Sequence, residues 1–343
     1  MKAAVLTDTG SVAIEDREKP NPGANDVLVR VNACGVCMTD YHMYHGTFPV
    51  DFPTVPGHES SGEVVAVGDD VLDVDVGDRV AINPSIPCNR CQACVSGNEN
   101  LCENFTSIGG AADTIIDGAF AEYVRAPAGY VESIGDVPYR TAAFAEPLAC
   151  CIHAVDQVSL ESGDTVVIIG AGPIGLLLAQ TFRASGAGTV VVSEPVDERR
   201  ELALETGADE VVDPVETELA SELDDLVDRV DIAVEAVGLP ETIETALSLP
   251  SAGGTTLVFG VPPQGTTVEI DPFDVYYDEL ELVGTFSLTP NDFARAVTFL
   301  RNGRIDVDSL VTDEYDLDGL SDAFSQMEDK EGLKKMIYPN DDR

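Results

Sequence analysis

The chain has 343 residues, enough for two or three domains, each with its own apolar core. Hydrophobic residues make up 44% and charged residues 24%, an ordinary globular mix, yet 62 acids against 19 bases give a formal charge of −43. Such a charge repels polyphosphate and anionic lipid, which excludes a general nucleic-acid-binding protein and docking on an acidic membrane face. No apolar run reaches the length of a spanning helix, and the opening MKAAVLTDTG carries no long apolar signal segment. The expectation is a cytoplasmic protein without nucleic-acid or membrane partners.

Three segments follow in chain order. Residues 1–146 are rich in Val, Gly, Pro and Asp, and VLVRVNACGV, GEVVAVGDDV and GDRVAI read as strands bounded by turns, a β-rich domain of barrel type. Residues 147–286 change texture. AAFAEPLACCIHAVDQV, which leads into them, reads as one long helix. TVVIIGAGPIGLLLAQTFRASGA then gives a strand, a glycine turn and a helix. The short runs TVVVSE, ADEVVD, VDIAVEAVG, TTLVFG and LELVGTF alternate with helical stretches, the mark of a doubly wound parallel sheet. Residues 287–343 hold a helix, NDFARAVTFLRNG, and a segment expected to return to the first domain.

The turn G-A-G-P-I-G places Gly170, Gly172 and Gly175 between a buried strand and a helix that opens at Pro173 and Ile174. The glycines allow a tight turn, close approach of backbone to a pyrophosphate, and close packing of helix on strand. Glu194 ends the next strand, where a carboxylate accepts from both hydroxyls of an adenine ribose and repels a 2′-phosphate. This reads as an NAD site. Arg199 and Arg200 follow; they read as the solvated start of a helix, with Arg199 kept among the candidate cofactor contacts.

Eight cysteines in a chain without a secretion signal point away from disulfides. Cys88, Cys91, Cys94 and Cys102 are spaced C-x2-C-x2-C-x7-C, which suits one closed tetrahedral zinc. The rival is an iron–sulfur cluster, whose fourth cysteine comes sooner and is followed by Pro; here Glu103 follows Cys102. Cys37 and the pair His58 and Glu59 offer further ligands, with Glu146 as an additional carboxylate. Three protein ligands and an open position would make a catalytic zinc, although these residues lie far apart in sequence. Cys34, Cys150 and Cys151 read as packed core thiols, and Asp69-Asp70 and Asp224-Asp225 as hydrated surface.

With G-V-C-M-T-D, G-H-E, V-G-D-R-V, the four-cysteine lobe, E-P-L-A and G-A-G-P-I-G in order, the chain resembles the zinc-dependent medium-chain alcohol dehydrogenases over nearly its full length. The resemblance implies a chaperonin-10-like β-barrel catalytic domain plus a Rossmann domain, an active site in the cleft between them, and two zinc ions and NAD per chain. It makes Cys37, His58 and Glu59 zinc ligands, and Glu146 a residue that binds the zinc or holds its water. Thr39 becomes the hydroxyl that meets the reacting alcohol, Asp40 a carboxylate orienting His58, and His42 the end of a proton relay. It also implies a homo-tetramer or homo-dimer. The acid in E-P-L-A resembles the polyol branch, so the expected reaction is oxidation of a sugar alcohol to a ketose by hydride transfer to NAD. Ser287 and Leu288 stand where sorbitol dehydrogenases carry an Arg-Tyr pair, which leaves another sugar alcohol, an aldose or a short diol as substrate. A non-enzymatic dinucleotide-binding protein is the remaining alternative, opposed by the intact ligand set.

The acids run from Asp8 to Asp342, and lysine occurs only at positions 2, 19, 330, 334 and 335. This composition resembles that of halophilic archaeal proteins, whose self-repulsion is tolerable where molar salt shortens the Debye length to about 3 Å.

Overall fold

A computed structural model describes residues 1–340. Met1–Ala149 and the chain from Leu288 onward form one compact unit; Cys150–Ser287 form the other.

The first unit is built on a seven-stranded sheet. Its main path runs Val131–Ser133, Arg79–Ile82, Glu59–Val67, Asp26–Gly35, Lys334–Ile337 and Val311–Tyr315, with Tyr123–Pro127 also paired to Asp26–Gly35. Val27, Val29, Val31, Val64, Ile82, Phe120 and Val124 fill its core. Fully burying one Val or Phe contributes about 1.5–3 kcal/mol, so the Val-rich composition of this half is what holds it together. The register brings distant residues side by side. Gly35 lies opposite Glu59 on one flank and opposite Met336 on the other. The chain from Leu288 thus supplies two strands to the sheet begun by the N-terminal half. Ser85–Ile86 and Thr106–Ile108 pair in a separate three-stranded sheet, and the cysteine segment 88–102 is the excursion between them.

The second unit is a six-stranded parallel sheet. Its order is Glu210–Val212, Thr189–Ser193, Thr165–Ile169, Ile232–Glu235, Thr255–Val258 and Glu281–Gly284. The chain starts in the middle, winds to one edge, then returns to wind to the other. Val166, Val167 and Ile168 are fully buried, as expected of a central strand covered on both faces. In such sheets ligands bind beyond the carboxyl ends of the strands, where the winding reverses. Here that point lies beyond Ile169 and Glu235, on the adjacent first and fourth strands of the unit.

One element departs from the sequence reading. The stretch read as one helix from Ala142 breaks into Tyr139–Ala142 and Ala145–Asp156. Pro147 sits in the first turn of the second helix, the one place where its missing amide and fixed φ do no harm. The tail beyond Val307 resolves into the strand Val311–Tyr315 and the helix Leu320–Glu328. Among the described residues no helix is long and apolar enough to cross a membrane.

Candidate active site

Cys37 ends the approach from the strand Asp26–Gly35 and caps the short helix Met38–Tyr44, its sulfur accepting from the Thr39 amide at 3.5 Å. Asp40, fully buried, closes this turn. One carboxylate oxygen accepts from the Cys37 amide at 2.9 Å and the other from the Gly57 amide at 3.1 Å. A single side chain therefore ties the Cys37 turn to the segment carrying His58. Gly57 has φ +97, and a Cβ there would meet the Phe120 amide nitrogen at 2.7 Å, so only glycine lets the chain pass at this point.

The result is a cluster in which the Cys37 sulfur, a His58 ring nitrogen and a Glu59 carboxylate oxygen all lie within 4.8 Å of one another. His58 and Glu59 are 6% and 2% exposed. His58 Nδ1 stands 3.4 Å from Asp40 Oδ1, an electrostatic contact rather than a well-formed hydrogen bond. Burial works against a charged imidazole, but the Asp40 charge and the contacts to Asp40 and Cys37 prevail and hold its pKa well above the ordinary histidine value. A metal at this ring would take the place of that proton. One soft sulfur, one imidazole and one carboxylate, buried and convergent, match the donor set of a catalytic zinc. An Asp behind the imidazole is the usual arrangement for a ligating histidine.

The remaining predicted residues take separate places. Thr39 and His42 share the helix Met38–Tyr44 at positions i and i+3, on one face. His42 Nδ1 lies 3.3 Å from the Thr47 hydroxyl, and the ring packs at 5.0 Å from Phe48. Burial, with the neighbouring His45, lowers its pKa, so the imidazole is neutral near pH 7. Glu146, half-buried in the first turn of Ala145–Asp156, lies outside the three-residue cluster, although its charge acts on Lys334. Cys34 and Cys151 are fully buried, and His153 is buried.

Lys334 carried no expectation from sequence. It is 7% exposed on its side chain, and its ammonium is ion-paired with Glu59. Burial disfavours its charge, but the charges of Glu59, Cys37 and Glu146 outweigh this and raise its pKa. A lysine in an apolar run of a chain with only five lysines was the one available signal.

The four-cysteine cluster is separate and compact. Its sulfurs stand 3.4 Å apart for Cys91 and Cys94, and 4.0 Å for Cys88–Cys94 and Cys91–Cys102. Tetrahedral zinc with bonds of about 2.3 Å sets its sulfurs about 3.8 Å apart, inside this range, whereas a disulfide needs about 2 Å. Backbone amides of Arg90 and Cys91 lower the Cys88 thiol to about 6, while burial and the neighbouring sulfurs push Cys94 up to about 12. Four thiolates this close would repel one another, and a central zinc would offset that repulsion.

In the second unit, Gly170 takes φ +105, and Gly172 caps the helix Pro173–Ser185. The Gly172 cap has no side-chain hydrogen bond, and a Cβ built on it meets nothing within 4 Å. Open space before a helix N-terminus is the cradle a pyrophosphate requires. Glu194, 5% exposed, accepts from the Ala171 amide at 2.7 Å and from the Val196 amide at 3.2 Å. Both oxygens keep a second lone pair for ribose hydroxyls. Arg200 donates to the Glu194 carbonyl at 2.6 Å and pairs with Asp213 at 3.0 Å, whereas Arg199 is half-buried on the same helix.

Residues 23–136 match the family model of the alcohol dehydrogenase GroES-like domain, and residues 173–302 that of the zinc-binding dehydrogenase domain. The chain is 36% identical over 349 residues to the sorbitol dehydrogenase of Bacillus subtilis strain 168, covering 99% of this chain and 98% of that protein. It is 34% identical over 321 residues to D-arabinitol dehydrogenase 1 of Uromyces fabae, covering 92% and 90%. Among solved structures, one described as a zinc-binding dehydrogenase from Sinorhizobium meliloti 1021 bound to NADP aligns with a TM-score of 0.94 at 38% identity, over 98% of this chain and 99% of that one.

Proposed function

The chain belongs to the zinc-dependent medium-chain alcohol dehydrogenase family, and within it we propose that the protein oxidises a secondary hydroxyl of a sugar alcohol to a ketone with NAD as hydride acceptor. The observation that carries this reading is the buried convergence of Cys37, His58 and Glu59, in a chain that also has an open dinucleotide cradle at Gly172. The sorbitol and arabinitol dehydrogenases among the relatives support the polyol class.

In this proposal Cys37, His58 and Glu59 hold one zinc, and Cys88, Cys91, Cys94 and Cys102 hold a second that stabilises their lobe. When bound, the catalytic zinc acidifies the alcohol and the dinucleotide supplies the hydride acceptor. Asp40 fixes the His58 ring and the Cys37 turn together. Thr39 accepts the hydroxyl proton and passes it toward His42, which the neutral imidazole is able to take up. Glu146 contributes a carboxylate to the same region. Gly170, Gly172, Pro173, Ile174 and Gly175 receive the pyrophosphate. Glu194, fixed by two amides, takes the adenine ribose and disfavours a 2′-phosphate, with Arg199 at its edge.

Asp40→Asn keeps the shape but weakens the hold on His58 and Cys37. Loss of such a supporting carboxylate costs about 10- to 100-fold in metal affinity or activity. The expected result is zinc loss to a chelator at correspondingly lower concentration, read by metal analysis, with an unchanged fold by circular dichroism.

The acid-rich composition supports a halophilic origin, and the edge of the second unit supports self-association. Its terminal strand Glu281–Gly284 is flanked by exposed Phe273, Tyr276, Tyr277 and Phe286. A dimer or tetramer is the proposed state, and a monomeric mass by light scattering in molar KCl would refute it.

The function is tested by NADH formation across sugar alcohols, short diols, aldoses and simple alcohols, in KCl from 0.1 to 3 M (on the order of the range over which the Debye length falls from about 10 Å to about 3 Å or less), with NAD and NADP in parallel. The expected result is activity on polyols with NAD that rises with KCl. Activity confined to aldoses with NADP would replace this reading with an aldose 1-dehydrogenase.

A further inference from the structure

Glu235 ends the strand Ile232–Glu235, beside the Gly170 turn, and is fully buried. Its oxygen Oε1 accepts from the Val237 amide at 2.8 Å, the Gly238 amide at 2.7 Å and the Thr242 hydroxyl at 2.7 Å. Its other oxygen, Oε2, has no hydrogen-bond partner and is sealed behind Gly260, where a Cβ would meet it at 2.6 Å. The Glu235 carbonyl accepts from the Phe259 and Gly260 amides at 2.9 and 3.0 Å. One residue thus holds both the turn after its own strand and the turn after the neighbouring strand Thr255–Val258. These turns interlock with the Gly170 turn. A Cβ on Gly238 would meet the Val261 carbonyl oxygen at 2.8 Å, and one on Gly170 would meet a Val237 methyl at 2.8 Å. The Ala236 amide donates to the Ile169 carbonyl at 3.0 Å.

The strand order decides which part of a dinucleotide these turns face. Glu194 follows the strand on one side of Thr165–Ile169, and Glu235 ends the strand on the other. With the adenine ribose at Glu194 and the pyrophosphate before Gly172, the other half of the cofactor runs toward the turns beyond Glu235. Val237 and Val261, 46% and 66% exposed, offer apolar surface on those turns. Resting on the dinucleotide reading above, we propose that Glu235 is a positioning residue for the nicotinamide half of the cofactor. It touches neither cofactor nor substrate. Its carboxylate fixes Val237 and Gly238, and Gly238 packs on Val261, so the ring meets a wall already in place. Turns held in this way lose little freedom when a ligand arrives, which favours binding.

Glu235→Gln keeps the shape but removes the charge on which the two amides and the hydroxyl converge. Thr242→Val removes one donor without altering Glu235, so it covers the case in which Glu235→Gln folds poorly. Thr242→Ser keeps the hydroxyl. Binding of NADH and of ADP-ribose, which lacks the nicotinamide ring, is measured by calorimetry on the zinc-loaded proteins, alongside the kinetics of polyol oxidation. For Glu235→Gln the NADH dissociation constant should rise about tenfold, the loss expected when one hydrogen bond to a charged group is weakened. ADP-ribose binding and zinc content should stay as they are, and the KM for NAD should rise more than the KM for polyol. Thr242→Val should weaken NADH about threefold and again spare ADP-ribose. Thr242→Ser should restore NADH binding. A carboxylate that only stabilises the sheet would not separate the two ligands. Equal weakening of NADH and ADP-ribose in the folded variants, or NADH binding at the unaltered strength, overturns the inference. If the unaltered protein binds neither ligand, the dinucleotide reading itself fails and takes this inference with it.

Discussion

Replacing Cys37 with serine is expected to give a folded protein that holds one zinc per chain instead of two and has lost at least about 10³-fold in polyol oxidation. Serine is chosen because Cys37 is also a helix cap, accepting from the Thr39 amide. A serine hydroxyl accepts the same bond, and a lost cap alone would cost only about 1 kcal/mol. What serine does not supply is the soft thiolate that a Cys–His–carboxylate site gives to zinc. Metal ions contribute several kcal/mol of charge stabilisation to such reactions, and about 4 kcal/mol corresponds to about 10³ in rate. Zinc analysis and steady-state rates at saturating NAD separate this from a folding defect. A Cys37→Ser protein with two zinc ions and near-normal rates would show that the buried cluster is not where the reaction occurs.

Cys91→Ser should produce the largest structural effect. Cys91 stands between two sulfurs, 3.4 Å from Cys94 and 4.0 Å from Cys102, so its loss opens the centre of the lobe. Structural zinc binds comparable peptides with an apparent free energy of about 10–16 kcal/mol, and that energy is folding energy. The segment 88–102 has little else to hold it. Its two short helices, Gln92–Val95 and the 3-10 turn Glu99–Leu101, bury only Cys94 and Asn100, while Val95 and Leu101 are 67% and 58% exposed. The expected result is loss of the lobe's zinc and protease cleavage within 88–102 at native temperature. The cluster at Cys37, His58 and Glu59 should keep its own metal. Resistance of Cys91→Ser to cleavage, with its zinc content unchanged, would mean that the lobe is held by its chain alone.

How far these sites were legible in the sequence depended on the distance over which each is assembled. The Gly170–Gly175 turn is contiguous, with its strand and helix on either side, and the turn chemistry is the same in any context. The four cysteines fall within one short loop, so their spacing alone indicates a tetrahedral site. Cys37 and His58–Glu59 are different. They lie on separate segments, and only the pairing of Gly35 with Glu59, together with Asp40 bridging the Cys37 and Gly57 amides, brings them together. Nothing in local pattern encodes that register, and resemblance to a family had to stand in for it. Lys334 is the extreme case. Its ion pair with Glu59 follows from the C-terminal chain adding a strand beside Gly35, a long-range pairing that leaves no trace in the residues around it. Glu194 was legible as an acid at a strand end. Its fixation by the Ala171 and Val196 amides arises from the turn geometry and was not. The stretch from Ala142 reads as one helix because it is long and apolar. The break falls just ahead of Pro147, which is accommodated only near a helix start.

In the proposed reaction, the metal held by Cys37, His58 and Glu59 is required to oxidise a sugar alcohol. The most direct measurement withdraws zinc stepwise with a chelator in molar KCl, following zinc content and polyol-dependent NADH formation on the same samples. Activity is expected to fall in proportion to one of the two zinc ions per chain and to return when zinc is added back, while the four-cysteine lobe still holds its own. Full activity in protein stripped of both ions would contradict it.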